Sequence, residues 1–215
     1  MTLVITRASE GYHGVAPARP NRGRAAPGSG HRRLRPVSRV GRRPRPRRPK
    51  GPSTMDTLHL IALLAALLST GLMAGLFTGY SYSVMPGLSI LDDRAWVAAL
   101  QHINRVILNG RFMTAFLGAV GFTLAAAVLG LFLDDRAALP WTLAGLALNL
   151  VSFIGTMARN VPLNNRIEAA GDPAALADPA ALRAEVEAPW IKWNHVRGAA
   201  NLLGLAALAW ALYTT

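Results

Sequence analysis

Apolar and polar positions fall in blocks along this chain rather than alternating residue by residue. Four windows without a charged residue follow one another, at 57–91, 112–133, 137–158 and 198–215. Each reaches or nearly reaches the ~20 apolar residues that cross a ~30 Å hydrocarbon core. The pattern predicts an all-α fold, a four-helix transmembrane bundle with spans at about 57–80, 112–133, 139–158 and 194–213. The fourth span borrows length from residues 190–197. Soluble helices seldom carry one apolar run of this length, so four of them argue against a soluble bundle.

The first window is longer than one span, and Met85-Pro86-Gly87 predicts a break after it. Within it, Gly71, Gly75 and Gly79 recur four apart, a small-residue face that lets a neighbouring backbone approach. Residues 88–111 read as an amphipathic helix. Ser89 and Asp92 suggest a capping box at its start, and Asn109-Gly110 a stop. Its apolar stripe is Trp96, Leu100, Ile103 and Ile107; Arg94, Gln101 and Arg105 lie opposite. DDRAA makes a tight hairpin between spans two and three. The third span is expected to end at Arg159-Asn160, with Asn149, Ser152, Thr156 and Asn160 on one face. Beyond it the unit DPAAL occurs twice, and Asp178-Pro179 predicts the start of a short surface helix.

Four spans place the first and third connections on the same side of the membrane. Residues 80–85, the amphipathic helix, residues 160–165 and residues 190–197 therefore converge on one end. On the fourth helix Trp190, Trp193, Asn194, Arg197 and Asn201 share a face that has to look at something other than lipid. The two connections at this end hold Arg94, Arg105, Arg111, Arg159, Arg166, Arg183, Lys192 and Arg197; the other end holds Arg136. The positive-inside rule makes the polar end cytoplasmic, in a multi-pass protein of the cell membrane.

Charge changes the picture at the N-terminus. The formal net charge is +12, yet residues 1–54 carry thirteen arginines and one lysine against one glutamate, leaving the body nearly neutral. This Arg/Pro-rich segment is too poor in apolar residues to fold and reads as a disordered tail. A charged arm for anionic lipid or nucleic acid is one reading of it. The other is that translation starts at Met55, directly before the first span, and nucleic acid is then no partner. The domain of interest is 55–215.

Candidate chemistry sits at the polar end. Asn104, Asn149, Asn160, Asn164, Asn165, Asn194 and Asn201 are costly to bury unpaired. They suit a neutral polar ligand, or bond one another and pin the bundle. Arg105, Arg111, Arg159 and Arg197 either snorkel to headgroups or serve a site. His102 and His195 lie on the polar side, and His59 on the other. The chain lacks cysteine, HExxH, a phosphate-binding loop and a dinucleotide fingerprint. No metal and no cofactor are expected.

Four segments carry a resemblance. Residues 80–87 (YSYSVMPG), 101–109 (QHINRVILN), 160–165 (NVPLNN) and 190–197 (WIKWNHVR), in this order, resemble the four-helix membrane proteins grouped with fungal anthrone oxygenases. The resemblance covers residues 57–215 and implies a cofactor-independent monooxygenase acting with O₂ on a hydrophobic, polyketide-like aromatic. On that footing His195 is the expected base, with His102 second. Arg197, Asn194 and Asn164 are expected to stabilise the enolate oxygen, and Trp190, Trp193 and Tyr82 to stack on the substrate. Asn104, Arg105, Asn160 and Asn165 complete the expected binding set. The alternative is a non-catalytic membrane protein that binds a lipid or protein partner. The remaining expected partners are the bilayer and a second copy of the chain.

Overall fold

The computed structural model describes Gly51 and residues 53–215, so the expected tail over 1–50 and 52 lies outside the described residues. Every regular element among them is helical. Helix α1 (Thr54–Gly79) starts on a capping box in which Ser53 and Asp56 satisfy each other's backbone N–H. A π-helical turn (Tyr80–Val84) leads into α2 (Met85–Ser89). Helix α3 (Asp93–Ile107) follows, then α4 (Gly110–Gly130), α5 (Leu139–Gly155), a second π-helical turn (Thr156–Asn160) and α6 (Val161–Glu168). A 3₁₀ turn (Pro173–Ala175) precedes α7 (Pro179–Tyr213). Four continuous stretches are long and apolar enough to cross a membrane: Thr54–Ser89, Gly110–Gly130, Leu139–Glu168 and Pro179–Tyr213.

The expected breaks at Pro86 and Arg159-Asn160 do not occur. Both helices run on, through a π-turn that ends two residues before a proline, Pro86 in one case and Pro162 in the other. A proline ring collides with the carbonyl four residues back and supplies no N–H. Here that carbonyl, of Tyr82 or Ala158, lies inside the wider π-turn, where there is room for it. The short helix expected from Pro179 is likewise continuous with the fourth span, with Pro189 inside it.

Asp92 alone caps α3, by accepting from the Ala95 N–H; Ser89 instead closes α2 with a bond to the Pro86 carbonyl. Asn109 ends one helix and caps the next, accepting from the Arg111 and Phe112 N–H groups. Gln101, expected on the polar face of α3, is buried. Its amide donates to the Ile167 and Gly171 carbonyls and ties the first connection to the third.

In the bundle α1 packs on α4 and α7, and α5 packs on the same two helices. Small residues set the spacing. A Cβ on Gly145 would lie 2.9 Å from Leu208, and one on Gly118 2.9 Å from the Ser69 hydroxyl. Gly75 and Gly79 face outward and meet nothing within 4 Å. Midway through the bundle Asn149 donates to Thr70, Thr123 and the Ala119 carbonyl and accepts from Asn201, which in turn accepts from Ser152. Amide–amide bonding is thus what these two asparagines do. The apolar cluster at the polar end joins Met85, Trp96, Val97, Leu100, Ile167, Val186 and Trp190, so the two connections and the extension of α7 form one cap.

Candidate functional site

Beneath that cap lies a cavity of about 80 Å³. Phe77 and Tyr80 line it from the first membrane helix, Leu100, Ile103, Asn104, Ile107 and Leu108 from the end of α3, and Phe112 from α4. Thr156, Val161 and Asn164 face it from the third membrane helix, and Trp190, Asn194 and Arg197 from α7. Both π-turns open on it, since Tyr80 and Thr156 are their first residues.

Arg197 is the strongest feature. Its side chain is 5% exposed, deep in an apolar helix. Its guanidinium donates to Thr156 Oγ1 at 3.3 Å and Asn194 Oδ1 at 3.0 Å, and its Nε has no partner. Among the described residues, no carboxylate pairs with it. The charge rests on aromatic faces instead, 4.2 Å from the Phe77 ring and 5.5 Å from that of Trp190. An unpaired buried cation is expensive, and functional in the usual case.

The neighbours are held firmly. Asn194 donates to the Phe77 carbonyl and to Ser81 Oγ, both at 2.9 Å, and so clamps α7 to the first π-turn. Trp190 Nε1 donates to Asn164 Oδ1 at 2.8 Å, and its ring sits 5.7 Å from that of Tyr80. Asn160 is buried and donates to the Trp190 carbonyl, while its Oδ1 is unpartnered. Asn104 Nδ2 is buried and unpartnered on the cavity wall.

Two shallower grooves share this wall. One, lined by Leu76, Tyr80, His102, Ile103, Val106 and Ile107, opens on the outer face between α1 and α3. The other carries Asn104, Arg105, Asn164, Asn165 and Glu168 and is polar at its rim, where Arg105 pairs with Glu168. Ile107 lines all three spaces.

Of the expected site residues, the structure brings Asn104, Asn164, Trp190, Asn194 and Arg197 together on the cavity, with Asn160 directly behind Trp190. Arg105 and Asn165 stand at the rim of the polar groove. Trp193 lies under Arg159, 5.3 Å from its guanidinium, and outside the cavity lining. Tyr82 is 80% exposed. His195 is exposed, and His102 is exposed in the outer groove with Nδ1 on the Ala98 carbonyl; neither reaches the cavity. Tyr80, Phe77, Phe112 and Thr156 line the cavity but were not expected there. Thr156 shared a recognised polar face with Asn149 and Asn160, which was the available signal.

Fold and cavity together define a multi-pass helical membrane protein with a polar, aromatic-lined site closed in at one end of its bundle. Residues 112–207 match the family model described as anthrone oxygenase, and over those residues the chain is similar to that family. The match takes in Phe112, Thr156, Asn164, Trp190, Asn194 and Arg197, and stops short of Tyr80 and α3. No curated protein and no solved structure matches the chain.

Proposed function

We propose that the cavity is the site of an oxygenase that takes a flat, hydrophobic aromatic ketone of the anthrone type and O₂, and releases the quinone and water. The observation that carries this reading is Arg197, a buried guanidinium on the wall of an aromatic cavity, with no carboxylate partner among the described residues. Loss of a proton from the methylene beside an aromatic ketone leaves a carbanion whose charge resides largely on the ketone oxygen. Arg197 and the unpartnered Asn104 amide supply fixed donors for that oxygen. Phe77, Phe112 and Trp190 provide the faces for the rings.

The redox step needs no group beyond the two substrates. The electron-rich carbanion passes one electron to O₂, and the radical pair combines to a peroxide at the same carbon. Loss of the second methylene proton then cleaves the O–O bond and gives the ketone and water. A dry site protects the carbanion from simple reprotonation.

A three-ring substrate is larger than the cavity as it stands, since an apolar cavity of about 150 Å³ is what holds benzene. Binding therefore requires the end of α3 to move, and the outer groove beside Leu76 and Val106 offers a membrane-dissolved substrate the shorter route.

The test is purified protein in lipid nanodiscs with emodin anthrone under air. Quinone formation and oxygen uptake are expected above the buffer rate, and Arg197→Gln is expected to lower kcat by about 10²–10³-fold, as for loss of an oxyanion donor. A wild-type rate equal to that of buffer overturns the reading.

A further inference from the structure

We infer that Tyr80 is the proton acceptor of this site. The inference rests on the oxygenase reading and adds the group on which that reading depends most. Among the described residues that line the cavity, Tyr80 and Arg197 are the two that ionise, and none is a carboxylate or a histidine. Arg197 holds its charge as a donor, which leaves the phenol. Both groups lie against the same indole, the Tyr80 ring 5.7 Å from that of Trp190 and the Arg197 guanidinium 5.5 Å from it.

The local backbone explains why Tyr80 is there. It is the first residue of the π-turn, and Asn194 holds that turn through the Phe77 carbonyl and Ser81 Oγ. The hydrogen bonds of the site leave the Tyr80 hydroxyl without a partner among the described residues. The first π-turn thus contributes a tyrosine to the cavity wall whose hydroxyl has no partner among the described residues, where the second contributes Thr156, which accepts from Arg197.

The proton inventory closes on this one residue. The Tyr80 phenolate takes a methylene proton, and the negative charge passes to the substrate oxygen, for which Arg197 is the donor. After O₂ has added, the phenol protonates the peroxide. The regenerated phenolate removes the second methylene proton as the O–O bond breaks, and the departing hydroxide takes that proton from the phenol to leave as water. One O₂ is consumed, one water forms, and Tyr80 ends as it began.

Tyr80→Phe retains the ring on Trp190 and loses the hydroxyl. It is expected to lower kcat for emodin anthrone by about 10²–10⁴-fold, the usual worth of a general base, with KM and the affinity for emodin unchanged. A ring-fluorinated tyrosine placed at position 80 gives a second measurement that preserves the hydroxyl. It is expected to shift the acidic limb of the kcat profile to lower pH, following the more acidic phenol. An active wild type with an equally active Tyr80→Phe, or with a pH profile unmoved by fluorination, overturns the assignment of Tyr80 alone. A wild type without turnover overturns the oxygenase reading and this inference with it.

Discussion

Asn149 and Arg197 are both buried polar side chains in apolar helices, and they differ in what remains unsatisfied. Asn149 spends its amide on Thr70, Thr123 and the Ala119 carbonyl and its oxygen on Asn201, all within the bundle. Arg197 keeps an Nε without a partner, and no carboxylate balances it, among the described residues. The first is satisfied within the bundle, and the second is the group proposed to bind substrate. Asn149→Ala is accordingly expected to lower stability by about 1–3 kcal/mol, because it leaves several buried groups unpaired inside an apolar bundle. Thermal unfolding measures that loss, and turnover per folded molecule is expected to stay at the wild-type value. A lost turnover with unchanged stability would reverse the two roles.

The end of α3 and the two π-turns contribute much of the cavity wall. Ile107, on the last turn of α3, borders the cavity and both grooves, so a larger side chain there obstructs substrate by either route. Ile107→Trp is expected to lower kcat/KM by about tenfold, equivalent to ~1.4 kcal/mol, and to lower stability by no more than the ~1–3 kcal/mol of overpacking. Steady-state kinetics against emodin anthrone check it. The four spans, the amphipathic α3 and the gathering of Trp190, Asn194 and Arg197 were legible in the sequence, because each rests on long-range periodicity. What periodicity alone could not supply was phase around irregular turns. A π-turn spreads five residues over what an α-helix covers in four, so side chains in 80–84 do not keep a regular helical phase: Tyr80 lines the cavity, while Tyr82, expected from the resemblance to stack on substrate, is exposed. His195 fails for the opposite reason. The helix there is regular, and one residue beyond Asn194 turns the side chain by about 100°, away from the cavity. Gln101 looked solvated because it shares a face with Arg94 and Arg105; its partners, the Ile167 and Gly171 carbonyls, are distant in sequence.

At the scale of the molecule, the proposed site requires the first and third connections to lie at the same end of the bundle. The first connection, the third connection and the extension of α7 meet in a single cap, while the Asp134–Asp135 turn lies at the other end with the chain's C-terminus. The chain has no cysteine, so single cysteines report position cleanly. Lys192→Cys and Asp135→Cys are expected to react with a membrane-impermeant maleimide from opposite faces of the bilayer, with Lys192 on the cytoplasmic face by the charge rule. Reaction of both from one face would contradict the bundle's topology.

The measurement that bears most directly on the central claim is equilibrium binding of emodin, the quinone expected as product, to the protein in nanodiscs. The wild type is predicted to bind it saturably, and Arg197→Gln about tenfold or more weakly, the worth of a hydrogen bond to a charged donor in a buried site. Equal affinity in the two proteins would contradict the account, because the buried guanidinium would then have no part in holding the ligand.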